Sequence, residues 1–523
     1  MFRYFGPPGT GKTTTLLNQV ENLLSNGMSP NDIGYFAFTR KAADEARDRA
    51  VSRFNLDPEN DFIYFRTLHS LAFRALGMTS SQVLGTKQMK EFGKKAGVDF
   101  TADGVEIVED EGFAVMRSNH PVIRAIDLAR NTRNGPQYAY NEIGLTITYY
   151  EFEHIYKEYE RFKEQNGLKD FTDMMMEFAD NPSLTPRLKV VFLDEAQDLT
   201  RLQWVVAHNL EDHSDRMYVA GDDDQGIYRF AGADIGKFIS LPGASEVLSQ
   251  SYRIPRSVHY IAERVVGRIQ HRQKKIWSPR TEQGSVRRIY DASTVDFNGG
   301  EWLVLSQAKY MLDDLAGHMK SAGYYFERKD SPSLPKKVKN AIQSWNHLLE
   351  NPRHEISQKE AINLYDHISS GEGKIKRGAK KILAGSDEQD LFSLSVLHQN
   401  FGLETIDGDW ENSLDRISDE NRAYATALLR RGVNIFEKPK IRLSTIHGAK
   451  GGEADNVLLY LDLSSKALDH MHEHPDDAHR QMYVGITRAK NNLVLKMPED
   501  SQRARRRGFR TAPYGYGKCS CLV

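Results

Sequence analysis

Gly6-Pro7-Pro8-Gly9-Thr10-Gly11-Lys12-Thr13 stands between a short apolar run, Phe2-Arg3-Tyr4-Phe5, and Thr14-Thr15-Leu16-Leu17, which opens a helix. Glycine, four residues, then glycine, lysine and a hydroxyl is the pattern of a phosphate loop, and a strand before it with a helix after it is the context that pattern needs. Gly6, Gly9 and Gly11 allow successive backbone N–H groups, including that of Thr10, to turn into one concavity. The N-terminus of the following helix, at Thr13 and Thr14, adds partial positive charge there. Lys12 then reaches the β and γ phosphates of a triphosphate and Thr13 holds Mg²⁺. A Gly-Pro turn before an ordinary helix would explain the glycines but not the lysine and hydroxyl that follow them.

The 523 residues suggest about three or four domains. With 70 basic and 71 acidic side chains the net charge is −1, so a nucleic-acid surface has to be a local groove and does not show in the total. The two cysteines, Cys519 and Cys521, lie in the last five residues. They build no disulfide framework, which suits a reducing, cytoplasmic setting, and their spacing on a tail is a weak metal signal. No apolar run reaches the ~18 residues of a membrane span, and no signal peptide opens the chain.

Outward from the loop, the first lobe alternates strands and helices. Ile33 to Thr39 reads as a buried strand followed by a charged helix from Arg40 to about Phe54, and Phe62 to Phe65 as a strand leading into Thr67-Leu68-His69-Ser70. This alternation predicts a parallel sheet with helices on both faces. From about 77 to 165 charged helical sequence dominates and reads as an insertion. The sheet resumes at Leu188 to Leu193, which runs into Asp194-Glu195-Ala196-Gln197-Asp198, and again at Met217 to Ala220, which runs into Gly221-Asp222-Asp223-Asp224-Gln225-Gly226-Ile227-Tyr228.

In a phosphate-loop protein the C-terminal strand edge faces the nucleotide. Asp194 is thus placed to hold Mg²⁺ and Glu195 to position and deprotonate the attacking water, while Gln225 is a candidate γ-phosphate sensor. The aspartate run lacks the terminal Glu of a calcium loop.

A second lobe is read over 250–331 and 440–500, with strands at Trp302 to Leu305, Tyr324 to Phe326, Ile441 to Thr445, Val457 to Tyr460 and Asn492 to Leu495. Residues 332–439 form its polar, mostly helical interruption. The first lobe takes 1–76 and 166–249, its insertion 77–165. The basic tail 501–523, with Arg503, Arg505, Arg506, Arg507 and Arg510, reads as disordered and as a possible site for a protein partner.

Taken in order, these stretches resemble superfamily 1 helicases of the UvrD/Rep branch. The matching segments are Gly6 to Thr13, Phe36 to Ala43, Thr67 to Ser70, Asp170-Phe171-Thr172-Asp173, Asp194 to Asp198 and Gly221 to Ala233. They continue with Ser251-Tyr252-Arg253, Thr445-Ile446-His447-Gly448-Ala449-Lys450-Gly451 and Tyr483-Val484-Gly485-Ile486-Thr487-Arg488-Ala489.

The resemblance implies a compact member with two RecA-like parallel-sheet lobes, each interrupted by a mainly helical insertion, and ATP with Mg²⁺ as cofactors. It implies that Arg253 and Arg488 reach the transferring phosphate, that Tyr252 stacks on adenine and that Glu453 bonds the ribose. It also implies single-stranded DNA on Phe38, Thr39, His69, Tyr228, Phe230, Thr445 and His447, with Phe38 and Phe230 stacking on bases. Phe230 and Ala231 depart from the family's Trp and Arg, which predicts a smaller stack and one cation fewer along the strand.

The function expected on this basis is an ATP-dependent single-stranded-DNA translocase and helicase of 3′ to 5′ polarity that acts on tailed duplexes. An ATP-switched sensor or loading factor that separates no strands is the alternative, and RNA stays open as a substrate because stacking says little about the sugar.

Overall fold

In the first sheet the strand residues point alternately into two apolar layers, the pattern of a sheet covered on both faces. Phe5, Phe36, Val191 and Leu193 enter one core with Leu71, Trp204 and Phe238. Their neighbours Tyr4, Tyr35, Val190 and Phe192 enter the other with Leu16, Leu17 and Val20 of the loop-following helix. A computed structural model describes residues 1–37, 43–44, 47–48, 51–52, 57, 60–100, 105–110 and 113–498. Phe38, Thr39, most of the expected helix from Arg40 and the tail 501–523 lie outside the described residues.

The sheet runs Phe65–Thr67, Ile33–Ala37, Leu188–Leu193, Ser214–Gly221, Phe2–Phe5, Ala244–Val247, and every described pairing is parallel. The phosphate loop, Asp194 and Asp222 therefore leave adjacent strands at one edge. Two expectations shift. The strand expected at Phe62 to Phe65 begins at Phe65. Phe62 packs edge-on against Phe65 at 4.8 Å and its carbonyl accepts from the Phe65 N–H at 3.1 Å, so the preceding apolar residues form a turn. Ala244–Val247 adds an edge strand that its exposed sequence hides.

The insertion at 77–165 has its own core around Phe92, Ile126, Phe152 and Phe162. Among the described residues it is helical apart from loops and an antiparallel pair, Val105–Asp110 with Phe113–Ser118. Asp170 caps helix Phe171–Ala179 in a reciprocal bond with Asp173 and receives Arg130 at 2.8 Å and Lys163 at 3.0 Å, so the quoted Asp-Phe-Thr-Asp stretch is a buried anchor for the insertion's helices.

The chain divides into two compact units, Met1–Gly284 with Asp469–Thr487, and Ser285–Leu468 with the remainder. Residues 250–284 fall in the first of these units. Helix Arg256–Val266 packs on helix Pro475–Ile486 within the first unit, and Ser251 N–H bonds the Ser278 carbonyl at 2.8 Å.

The second unit holds a seven-stranded sheet, Ser331–Pro332, Phe326–Arg328, Ile441–Thr445, Trp302–Ser306, Ala454–Tyr460, Ala489–Lys496, Ser285–Ile289, parallel except at its first pair. Its strand expected at Tyr324 starts at Phe326. The second insertion folds around Trp345, Tyr365, Leu397 and Leu428, with a small antiparallel pair, Glu355–Ser357 and Leu391–Ser393. Among the described residues no helix is long and apolar enough to cross a membrane.

Candidate nucleotide and nucleic-acid site

Gly9 and Gly11 have φ of 72° and 80°, in the left-handed region that a side chain disfavours, and they curl the loop back over the start of helix Lys12–Ser25. Thr10 closes the turn by donating its hydroxyl to the Pro7 carbonyl at 2.8 Å, and the Lys12 ammonium lies 3.0 Å from the Gly6 carbonyl. Gly9 is also a point of close approach, since a Cβ there would lie 2.3 Å from Arg253 Cβ. The Ser251-Tyr252-Arg253 stretch rests on this loop: Tyr252 N–H bonds the Gly9 carbonyl at 2.9 Å and the Ser251 hydroxyl bonds the Pro8 carbonyl at 2.7 Å. Tyr252 is 74% exposed, with its ring open for stacking.

Thr13 donates to Asp194 at 2.7 Å, and Tyr35 donates to the same carboxylate oxygen at 3.0 Å. Burial, and then the adjacent Glu195 charge, raise the Asp194 carboxyl above its ordinary range, against the Thr13 bond. A hydroxyl beside an oxygen-only acid fits a hard cation such as Mg²⁺.

Glu195 has φ 53°, a left-handed conformation that costs a non-glycine residue about 1–3 kcal/mol. Its N–H bonds the other Asp194 oxygen at 2.9 Å. The buried Gln197 donates to the Glu195 carboxylate, while its own carbonyl accepts the Asp222 N–H at 2.8 Å. Gln225 in turn donates to Asp222 at 2.7 Å. A continuous chain of hydrogen bonds therefore joins Glu195 to Gln225 through Gln197 and Asp222. The sequence reading gave Gln197 no role, although it sits inside a quoted motif.

Asp222, Asp223 and Asp224 are buried together, and a lysine fills the space between them. Lys275 Nζ lies 2.9 Å from Asp222 and 2.8 Å from Asp224 and also binds Asp223; Arg272 holds Asp224 with Nε at 2.8 Å. Burial alone would lower the Lys275 ammonium, but the three carboxylates outweigh it and raise it. Arg480, on helix Pro475–Ile486, donates Nε–H to the Asp223 carbonyl at 2.9 Å. No local signal marks Lys275 or Arg272, because their partners lie about 50 residues away in sequence.

Tyr228 and Phe230 meet edge to face at 6.1 Å, and Phe230 is 41% exposed. Arg124, from the first insertion, places its guanidinium 5.7 Å over the Phe230 ring. His69 packs edge-on against Phe171 at 4.9 Å at the start of helix Leu68–Ala75.

The remaining candidates belong to the second unit. Thr445 ends a strand and its hydroxyl accepts the Gly448 N–H at 3.1 Å, beside His447. Arg488 is buried and donates to the Gly452 carbonyl at 3.2 Å; Glu453 lies 3.9 Å from Lys490.

A phosphate loop on a parallel sheet, an acid pair at the neighbouring strand end and a second, mostly parallel sheet define a two-sheet phosphate-loop protein. Residues 5–243 match the UvrD/REP helicase N-terminal domain and 338–499 the UvrD-like helicase C-terminal domain, and the chain belongs to the UvrD/Rep helicase family. It is 26% identical over 338 residues to the ATP-dependent DNA helicase PcrA of Bacillus subtilis, an alignment covering 59% of this chain and 44% of that protein. The PcrA proteins of Staphylococcus epidermidis and Staphylococcus aureus are 25% and 24% identical, with 61% of this chain and 44% and 43% of theirs covered. The chain thus spans less than half the length of these relatives.

Proposed function

We propose that this protein is an ATP-dependent translocase and helicase on single-stranded DNA, moving 3′ to 5′ and opening tailed duplexes. The observation that carries the reading is the hydrogen-bonded chain Glu195–Gln197–Asp222–Gln225, which leads from the acid beside the phosphate loop to the loop bearing Tyr228 and Phe230. In this reading Lys12 and the loop N–H groups bind the phosphates. Glu195 takes the proton of the attacking water, and Gln225 reports the γ phosphate to the stacking residues. Thr13 and Asp194 would hold Mg²⁺, which supplies positive charge to the phosphate oxygens. Arg253 and Arg488 stabilise the charge that develops on the transferring group. Tyr252 stacks on the base and Glu453 bonds the ribose.

Thr39, His69, Thr445 and His447 hold the strand backbone, and Phe38 and Phe230 stack on bases. The Arg124 guanidinium over Phe230 supports a firm grip on the strand, which favours a motor over a sensor that separates nothing.

The test measures ATP hydrolysis with and without single-stranded DNA, followed by unwinding of 3′-tailed and 5′-tailed duplexes. DNA-stimulated turnover that falls at least ~100-fold in Glu195→Gln, with opening of the 3′-tailed duplex alone, is expected. Stimulation without opening replaces the helicase by the sensor or by a pure translocase. Opening from the 5′ tail reverses the polarity.

A further inference from the structure

The second insertion contains a side-chain cluster that nucleotide and strand chemistry leave unused. Helix Lys336–Glu350 carries His347 and Glu350 in its last turn, and a tight return places His354 just before strand Glu355–Ser357. One ligand atom from each of the three lies within 4.8 Å of the others.

Three features set this cluster apart from a surface coincidence. First, His354 Nδ1 lies 2.9 Å from the His347 carbonyl oxygen. A carbonyl only accepts, so Nδ1 carries the hydrogen and Nε2 keeps the lone pair; this is the arrangement that orients metal-binding histidines. Second, Glu350 places a carboxylate at the helix C-terminus, where the helix dipole is already negative, and its side chain has no ion pair or hydrogen bond among the described residues. Third, the backbone is held on both sides: His354 N–H bonds the Asn351 carbonyl and Arg353 N–H the Asn351 side chain, each at 2.9 Å, and Glu355 pairs with Ser393. The imidazole rings lie stacked, 4.1 Å apart with 11° between their planes, so loading an ion requires side-chain rotation with the backbone in place.

We propose that His347, Glu350 and His354 bind a divalent transition metal of the zinc class, with water completing the coordination. Two imidazoles and one carboxylate suit Zn²⁺, Co²⁺ or Ni²⁺ and not Mg²⁺, which demands oxygen ligands. The ion staples the end of helix Lys336–Glu350 to strand Glu355–Ser357, beside Trp345, Leu348 and Ile356 of the insertion core.

The test uses the full chain with Cys519→Ser and Cys521→Ser in every arm, so that tail thiols take up no metal. Zn²⁺ binding is measured by equilibrium dialysis in excess Mg²⁺ and by competition with a chromogenic chelator. The parent is expected to bind one equivalent more than His347→Gln/His354→Gln, a difference that also subtracts any uptake at His470, His472 and His474. Glu350 is exposed, so Glu350→Gln leaves the fold in place and is expected to weaken the site at least ~10-fold. Equal uptake in the parent and the histidine variant, no uptake in the parent, or unchanged affinity in Glu350→Gln overturns the proposal.

Discussion

Gly9 is fixed twice over, by its φ of +72° and by the 2.3 Å that would separate an added Cβ from Arg253 Cβ. Gly9→Ala therefore pushes the Ser251 to Arg253 stretch off the loop as well as straining the turn. The expected result is at least ~10-fold weaker binding of a fluorescent ATP analogue, roughly the effect of one lost charge-assisted contact. Gly27→Ala, at φ +82° with nothing within 4 Å, isolates the backbone cost alone and should leave binding unchanged. If the two variants bind equally well, the close approach has no consequence for the site. Lys275 is a second residue with no freedom, because it is fully enclosed by three carboxylates. Lys275→Met leaves those charges buried with Arg272 paired to Asp224 alone, and removing one partner of a buried ion cluster costs ~3–5 kcal/mol. The urea midpoint of the first unit, followed by fluorescence, should fall accordingly. An unchanged midpoint would show that the acids are neutralised without Lys275, by taking up protons.

The loop Asp222 to Gln225 behaves as one element, gripped by Lys275 and Arg272 from one segment and Arg480 from another. Burial, then the neighbouring Asp224 and Asp222 charges, push the Asp223 carboxyl up to about 6 against the pull of Lys275. With its folded pKa raised above the unfolded value, Asp223 binds a proton in the folded chain that the unfolded chain lacks between roughly pH 4 and 6. Stability relative to Asp223→Asn should rise as pH falls from 7 through 6, and level off below about 4. Urea midpoints of both proteins across that range test it, and parallel curves would refute the raised pKa.

None of this grip was legible in the sequence. What could be read there was local: the phosphate loop, the strand Leu188–Leu193 with its acid pair, and Gln225, each a contiguous pattern whose period or spacing carries its own meaning. Lys275 meets its partners only through folding. The turn at Phe62 to Tyr64 was misread because three consecutive apolar residues suit a buried turn as well as a strand. The exposed strand Ala244–Val247 carries no apolar alternation to find. The departure at Ala231 suggested a missing cation, while the Arg124 guanidinium over Phe230 comes from about 100 residues upstream.

Across the whole molecule the chain leaves its first unit at Gly284 and re-enters it at Asp469. The returning helix Pro475–Ile486 has Met482, Tyr483, Val484 and Ile486 buried, and the helix it packs on, Arg256–Val266, buries Val258, Ile261, Ala262 and Val265. Asp476 at its start also accepts the Gln270 and His271 N–H groups at 2.9 Å each. The first unit is therefore incomplete until most of the chain has been made. This arrangement differs from the second insertion, whose core residues run from Tyr325 to Ile435 without interruption by another unit. A fragment ending at Gly284 should expose the apolar face of helix Arg256–Val266, bind a hydrophobic dye and unfold at a lower urea concentration than the full chain. Fusing residues 469–487 to that fragment through a Gly/Ser linker should restore the buried face, reduce dye binding and raise the midpoint. If the fragment alone already unfolds at the midpoint of the fusion, the returning helix contributes nothing to the stability of the first unit, and its link to the aspartate loop through Arg480 would have to act on turnover alone.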